Sequence, residues 1–325
     1  MPTPRSQLVS LADTPWYHCV SRCVRRAWLC GIDTYTNQDY SHRRQWVVDR
    51  LDALTQAFAI DVATYAIMSN HYHVVLRVDA DQAAQWTWQE VVEQWHRLYH
   101  GNMVSKRFIH GEDLSASETR VLKKHTRVWR QRLSDISWFM SALNEHIARR
   151  ANEEDNVTGK YWEARFKSQA LLDEQAILAC SVYVDLNPIR AMMAETPEDS
   201  DYTSIQRRIE SAKEGAIPKS LQRFQGPEVK HQQPGLPCAL KDYIELVEAT
   251  GKIVRDDKRG AIDARQSPIL RRLKIDPDTW HLITTTFEDG PSTWVGSPER
   301  VKQTSHSLDR HWICQSATIH RLYPK

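Results

Sequence analysis

Two short runs of alternating residues, 62–68 and 71–78, are separated by only Ser69 and Asn70. A two-residue break of turn-forming residues between period-two runs predicts a β-hairpin. Side chains at i and i+2 of a strand leave the same face. His71 and His73 therefore project together from the second strand of that hairpin, and Tyr72 points the other way.

The segments around the hairpin complete a pattern. Residues 16–25 alternate and predict a first strand, with Tyr17, Cys19, Ser21 and Cys23 on one face and His18, Val20 and Arg22 on the other. Residues 41–58 carry Trp46, Val47, Leu51, Leu54 and Phe58 at helical spacing, with Ser41 as N-cap. Residues 81–151 read as helical, packed through Trp86, Trp95, Leu98, Trp129, Leu133, Trp138 and Leu143, with a break at 101–117. A polar loop at 152–159 leads to a fourth strand at 161–172. Asp173 then caps a helix over 174–190, which Pro188 should bend or end early. On that helix Tyr183 and Asn187, four apart, sit one above the other.

The order β-α-β-β-α-β-α predicts an α+β fold: a ferredoxin-like antiparallel sheet with helices on one side and the histidines near its centre. The expected domains are residues 1–212, with a helical insertion at about 81–151, a linker at 213–238 rich in proline, and a mainly helical region at 239–325. Helices are expected there at 240–250, 268–273 and 276–287. There are no internal repeats.

At 325 residues, 41% hydrophobic and 26% charged, the chain has a soluble protein's composition. No apolar run is long enough for a membrane span, and the first residues lack the apolar stretch of a signal peptide. The expectation is a cytoplasmic protein, associated with the nucleoid if it binds DNA. Six cysteines in this length do not form a disulfide framework. Cys19, Cys23 and Cys30 cluster without a fourth ligand at zinc-finger spacing, so they read as buried thiols. Net charge is only +2, but residues 96–132 hold nine Lys and Arg against three Asp and Glu, and residues 251–274 hold eight against three. Such patches suit a polyanion, although a solvated helix face gives the same pattern. Some of the 12 Trp and 11 Tyr could stack on unpaired bases, but core packing accounts for most of them.

Taken singly, a His-x-His strand is often a satisfied polar pair, and a tyrosine on an apolar helix is usually core. Together, two imidazoles able to reach one metal ion and a tyrosine hydroxyl point to phosphodiester chemistry with a tyrosine nucleophile.

The combination resembles the HUH single-strand endonucleases, named for their His-hydrophobic-His motif, here His71-Tyr72-His73. Within them it is most similar to the REP-associated branch of the single-tyrosine transposases. The matching segments are Tyr17-His18-Cys19-Val20-Ser21-Arg22, Met68-Ser69-Asn70-His71-Tyr72-His73, Trp162-Glu163-Ala164-Arg165-Phe166-Lys167-Ser168 and Tyr183-Val184-Asp185-Leu186-Asn187-Pro188-Ile189-Arg190-Ala191. The resemblance implies that His71, His73 and Asn187 hold a divalent ion, Mg²⁺ or Mn²⁺. Two imidazoles and an amide suit Mn²⁺ better. It implies that Tyr183 attacks phosphorus, giving a 5′-phosphotyrosine and a free 3′-hydroxyl. The expected partner is single-stranded or hairpin DNA, with no membrane, no small-molecule substrate, and a monomeric or homodimeric protein. The residues expected to grip DNA are Arg22, Arg25, Arg26, Arg165, Lys167, Arg271 and Arg272. The long helical segment and the extension beyond 205 depart from the simplest members.

Two other readings compete. A ferredoxin-like sheet can bind nucleic acid without catalysis, but the aromatic RNA-binding signature is missing. A zinc hydrolase would need a glutamate beside the histidines at metalloprotease spacing, and there is none.

Overall fold

The structure, a computed structural model, describes residues 9–24, 29–33, 37–226, 234–254, 267–285, 287 and 293–308. The chain starts with β1 (Trp16–Arg22), α1 (Arg43–Thr55), β2 (Ile60–Ile67) and β3 (His71–Val78). Five helices follow: α2 (Ala80–Gln85), α3 (Trp88–His96), α4 (Met103–Ile109), α5 (Ala116–Leu133) and α6 (Ile136–Glu154). Next come β4 (Lys167–Leu171), α7 (Glu174–Asp185), α8 (Asn187–Arg190) and α9 (Ser204–Lys213). The last elements are α10 (Leu240–Val254), α11 (Pro268–Leu273), α12 (Pro277–Thr285), β5 (Trp294–Val295) and α13 (Pro298–Ser307).

The fold is mixed α+β, with a five-stranded sheet in the order β2-β3-β1-β4-β5. β1 and β4 are antiparallel, with His18 opposite Gln169 and Tyr17 opposite Ala170. β5 corrects the expectation of a purely antiparallel sheet, because it lies parallel to β4. A parallel neighbour needs a long crossover, and residues 172–293 supply it. The hairpin turn is pinned in place: the Cys23 amide donates to the Asn70 carbonyl (2.9 Å), and those of Leu29 and Cys30 donate to Ser69.

The fourth strand is shorter than the alternation at 161–172 suggests. Val20 pairs with Lys167 and Cys23 bridges to Trp162, so three steps along β1 match five on the other side. Two extra residues force the chain out of the ladder, and Arg165 lies in that excursion, not on the strand. The segment 101–117 also holds more structure than expected, because Asn102 and Ser105 form a capping box that starts α4.

The chain divides into two compact units, residues 1–44, 62–76 and 162–325 in the first and 45–61 and 77–161 in the second. The second unit is helical, and α5 packs against α2, α3, α4 and α6. Trp95 stacks on Trp129 (5.1 Å between centroids), and the Arg132 guanidinium covers Trp138 at 4.2 Å. The expected insertion at 81–151 therefore extends to include 45–61.

The expected boundaries at 212 and 239 have no counterpart, for reasons visible in the contacts. β2 is bridged by Thr203 and by Leu221, and Phe224 pairs with Leu236, so the segment 213–238 meets the sheet edge at Leu221 and Gln222. β5 joins the sheet, and α10 and α12 pack on α7. A buried polar group ties the same elements together. Asp185 accepts from Ser204 Oγ, the Ile205 amide and Tyr243 Oη (2.6 Å), and burial raises its carboxyl to about 6 against those donors. Cys19, Cys23, Cys30, Cys180 and Cys238 are buried.

Asp173 caps α7 by accepting from the Ala176 amide, and its other oxygen accepts from the Ser297 amide (2.6 Å). A Cβ at Gly296 would stand 2.9 Å from the Leu172 Cβ, so only glycine lets the chain approach this cap. Asp173→Ala is expected to cost about 2 kcal/mol in urea unfolding. Hydrogen exchange should also show residues 293–308 losing protection. Unchanged protection there would assign the loss to the cap alone.

Candidate active site

Three adjacent strands and one helix converge on the site. β3 presents His71 and His73 on one face, with ring centroids 4.9 Å apart. β1, its neighbour, adds His18, whose ring stacks on His73 at 5.2 Å and 8°. β4, on the other side of β1, adds Gln169. The row is hydrogen-bonded: Gln169 Oε1 to His18 Nδ1 at 2.7 Å, then His18 Nε2 to His73 Nδ1 at 3.0 Å. His71 Nδ1 lies 2.6 Å from Asn70 Oδ1.

α7 brings Tyr183. Every residue of this helix from Ala176 to Asp185 is buried, as an all-round apolar helix requires. The Tyr183 ring is 5.7 Å from His73 and 6.3 Å from His18, edge-on to both. Its face stacks on Phe287 at 5.3 Å, and its relative exposure is 1%. Arg190 lies with its guanidinium 5.0 Å from the same ring while its nitrogens donate to the Thr284 and Thr285 carbonyls. Those carbonyls end α12, where a cation is favoured. α7 stops at Asp185, and Asn187 begins α8 with Pro188 behind it. The Asn187 amide nitrogen donates to the Tyr183 carbonyl at 3.3 Å, so its Oδ1 is the atom left for a ligand.

His73 is the electrostatic centre. It is 1% exposed, and its Nε2 has no hydrogen-bond partner. Burial, then the neighbouring His18, His71 and Arg22, push its pKa well below the ordinary histidine value, which favours the neutral ring.

The structure thus brings together the rings of His71, His73 and Tyr183, while Asn187 meets the main-chain carbonyl of Tyr183. Arg22 is exposed at the end of β1, near enough to act on His73. Arg165 and Lys167 are exposed, before and at the start of β4. Arg271 and Arg272 are both exposed on α11, and Arg272 also pairs with Glu174 and donates to the Pro237 carbonyl (2.7 Å). Its guanidinium ties α11 to the start of α7. Arg25 and Arg26 lie outside the described residues. His18, Gln169 and Phe287 were not expected. The first shares a strand face with Arg22 and was legible as a face residue, but the strand order that sets it beside His73 was not.

A solved transposase structure is similar to this chain. It is that of a REP-associated tyrosine transposase bound to a REP hairpin, at 10% identity and a TM-score of 0.34, covering 69% of this chain and 92% of that one. No family model and no curated protein matches the chain. Among the described residues, no helix is long and apolar enough to cross a membrane.

Proposed function

We propose that this chain is a metal-dependent endonuclease and strand transferase for single-stranded or hairpin DNA, with Tyr183 as nucleophile. The observation that carries the reading is the unpartnered Nε2 of His73, buried on a ring 4.9 Å from His71 and 5.7 Å from Tyr183. A buried polar atom without a partner costs roughly 1–3 kcal/mol, and a cation on its lone pair removes that cost. His71, His73 and the Asn187 oxygen would hold the ion. Among the described residues, no group of three or more His, Cys, Asp or Glu side chains is placed to hold a metal. Three protein ligands would leave the ion's other positions to substrate and solvent oxygens, the open arrangement that catalysis needs. Bound there, a divalent cation supplies Lewis-acid polarisation of the scissile phosphate.

The chain's own groups do the rest. The Tyr183 oxygen attacks phosphorus and gives up its proton. The P–O3′ bond breaks, and the leaving oxygen takes a proton to become a 3′-hydroxyl. Arg190 sets a positive charge against the ring on which negative charge develops. The ester conserves the bond energy, so attack by another 3′-hydroxyl joins a second strand and frees Tyr183. The strand order supports a ferredoxin-like core of the HUH kind, with β1 between β3 and β4 and β2 outside β3.

The test is a labelled single-stranded hairpin incubated with the protein and Mn²⁺, then run on a denaturing gel. A covalent protein–DNA band is expected. One observation favours a second reading, a non-catalytic hairpin-binding module: Tyr183 is buried against Phe287. Retained binding with no adduct under any metal would select it.

Arg22, Arg165 and Lys167 are exposed cations on β1, β4 and the bend before it, suited to the DNA backbone. Arg165→Ala with Lys167→Ala is expected to weaken hairpin binding and make its log–log salt slope shallower by roughly one to two. An unchanged slope would take these residues out of the interface.

A further inference from the structure

We infer that His18, oriented by Gln169, is a positioning residue that sets which nitrogen of His73 carries the proton and so presents the bare Nε2 to a ligand. The purpose of this arrangement rests on the metal reading of the site; its geometry does not. An amide oxygen can only accept, so His18 Nδ1, 2.7 Å from Gln169 Oε1, carries a hydrogen. A neutral His18 then has a bare Nε2, which can only accept. His73 Nδ1, 3.0 Å away, must donate to it. The proton of a neutral His73 is thereby used up on Nδ1, and its Nε2 is left as a lone pair with no partner.

The opposite polarity is chemically distinct. With the Gln169 amide turned over, its NH₂ would donate to His18, His18 would donate to His73, and His73 would bury an N–H on Nε2 with nothing to accept it. A cation can satisfy the first arrangement and would be repelled by the second. The three side chains form a row across β3, β1 and β4, with Gln169 directly opposite His18 in the ladder, so the main chain holds them in place. His71 has a comparable partner in Asn70, whose Oδ1 lies 2.6 Å from its Nδ1. A ring nitrogen anchored in this way behind a ligating nitrogen fixes both tautomer and direction.

The test reads the proton directly. Two-bond nitrogen–proton correlation spectra of the full-length, metal-free protein report which nitrogen of each imidazole is protonated. His73 is assigned by its loss in His73→Gln. In the wild type His73 should be protonated at Nδ1 alone. His18→Phe keeps a ring but removes the acceptor, and should leave His73 exchanging between tautomers. His18→Gln returns an acceptor oxygen and should restore the wild-type spectrum, whereas a packing role predicts that phenylalanine serves better than glutamine. Gln169→Leu should loosen the tautomer without touching either ring. Mn²⁺ affinity, read by electron paramagnetic resonance, should fall about 10- to 100-fold in His18→Phe and recover in His18→Gln. A wild-type His73 protonated at Nε2 would overturn the inference. So would tautomer and Mn²⁺ affinity that both ignore His18→Phe or, if that variant does not fold, a tautomer that ignores Gln169→Leu. A tautomer that follows His18 in a protein with no Mn²⁺ affinity would sustain the positioning role and reject the metal reading.

Discussion

Tyr183→Phe is expected to abolish the covalent protein–DNA adduct and all strand joining while leaving hairpin binding and folding close to wild type. The substitution removes one oxygen and keeps the ring that makes the packing contacts. Phe287 stacks on it, His73 and His18 meet it edge-on, and Arg190 covers it. None of these contacts is lost with the hydroxyl. Two other tyrosines are rivals for the nucleophile. Tyr72 lies on the opposite face of β3 from the histidines, edge-on to Trp162 at 5.7 Å, and Tyr161 lies before β4 begins. Neither has Asn187 one turn behind it. Mass spectrometry of the nuclease-trimmed adduct should place the nucleotide on Tyr183. A nucleotide on any other residue, or an adduct that survives the substitution, would end the assignment.

His71→Ala and His73→Ala are expected to lower cleavage on the order of a thousandfold or more, because a metal's share of transition-state stabilisation is several kcal/mol and each 1.36 kcal/mol is a factor of ten. Binding should suffer much less, since phosphate contacts supply most of the affinity of a DNA-binding protein. Wild-type cleavage should stop in EDTA and return with Mn²⁺. The His73 change removes the partner of His18 as well, so far-ultraviolet circular dichroism and hairpin binding should accompany it. Full cleavage by the double variant in EDTA would show that these imidazoles hold no catalytic ion.

How far the structure was legible in the sequence depended on the range of each interaction. The hairpin could be read because its signals, Ser69 and Asn70 between alternating runs, are local. The start of α7 was legible for the same reason, through Asp173, and its early end through Pro188. β5 was not, because two residues are too few to show a period. The bend at Arg165 was hidden because alternation continues through it while the partner strand loses register. The pairing of Arg272 with Glu174 was hidden because the two are remote in sequence. The candidate site divides in the same way. His71 and His73 could be picked out by spacing within one strand, and Tyr183 and Asn187 by spacing along one expected helix. His18 and Gln169 join them only through which strands are neighbours, a property of the folded sheet.

The pairing of β5 with β4 also has a temporal meaning. Trp294 and Val295 lie opposite Ala170 and Leu171, and Phe287, just ahead of them, forms the wall against Tyr183. On the ribosome the histidines, the tyrosine and the central strands all emerge well before these residues. Contacts so distant along the chain are slow to form, and an uncovered strand edge invites the wrong partner. The candidate site therefore gains this wall only after its histidines and Tyr183 have been made, and a nascent chain carries them for some time without it.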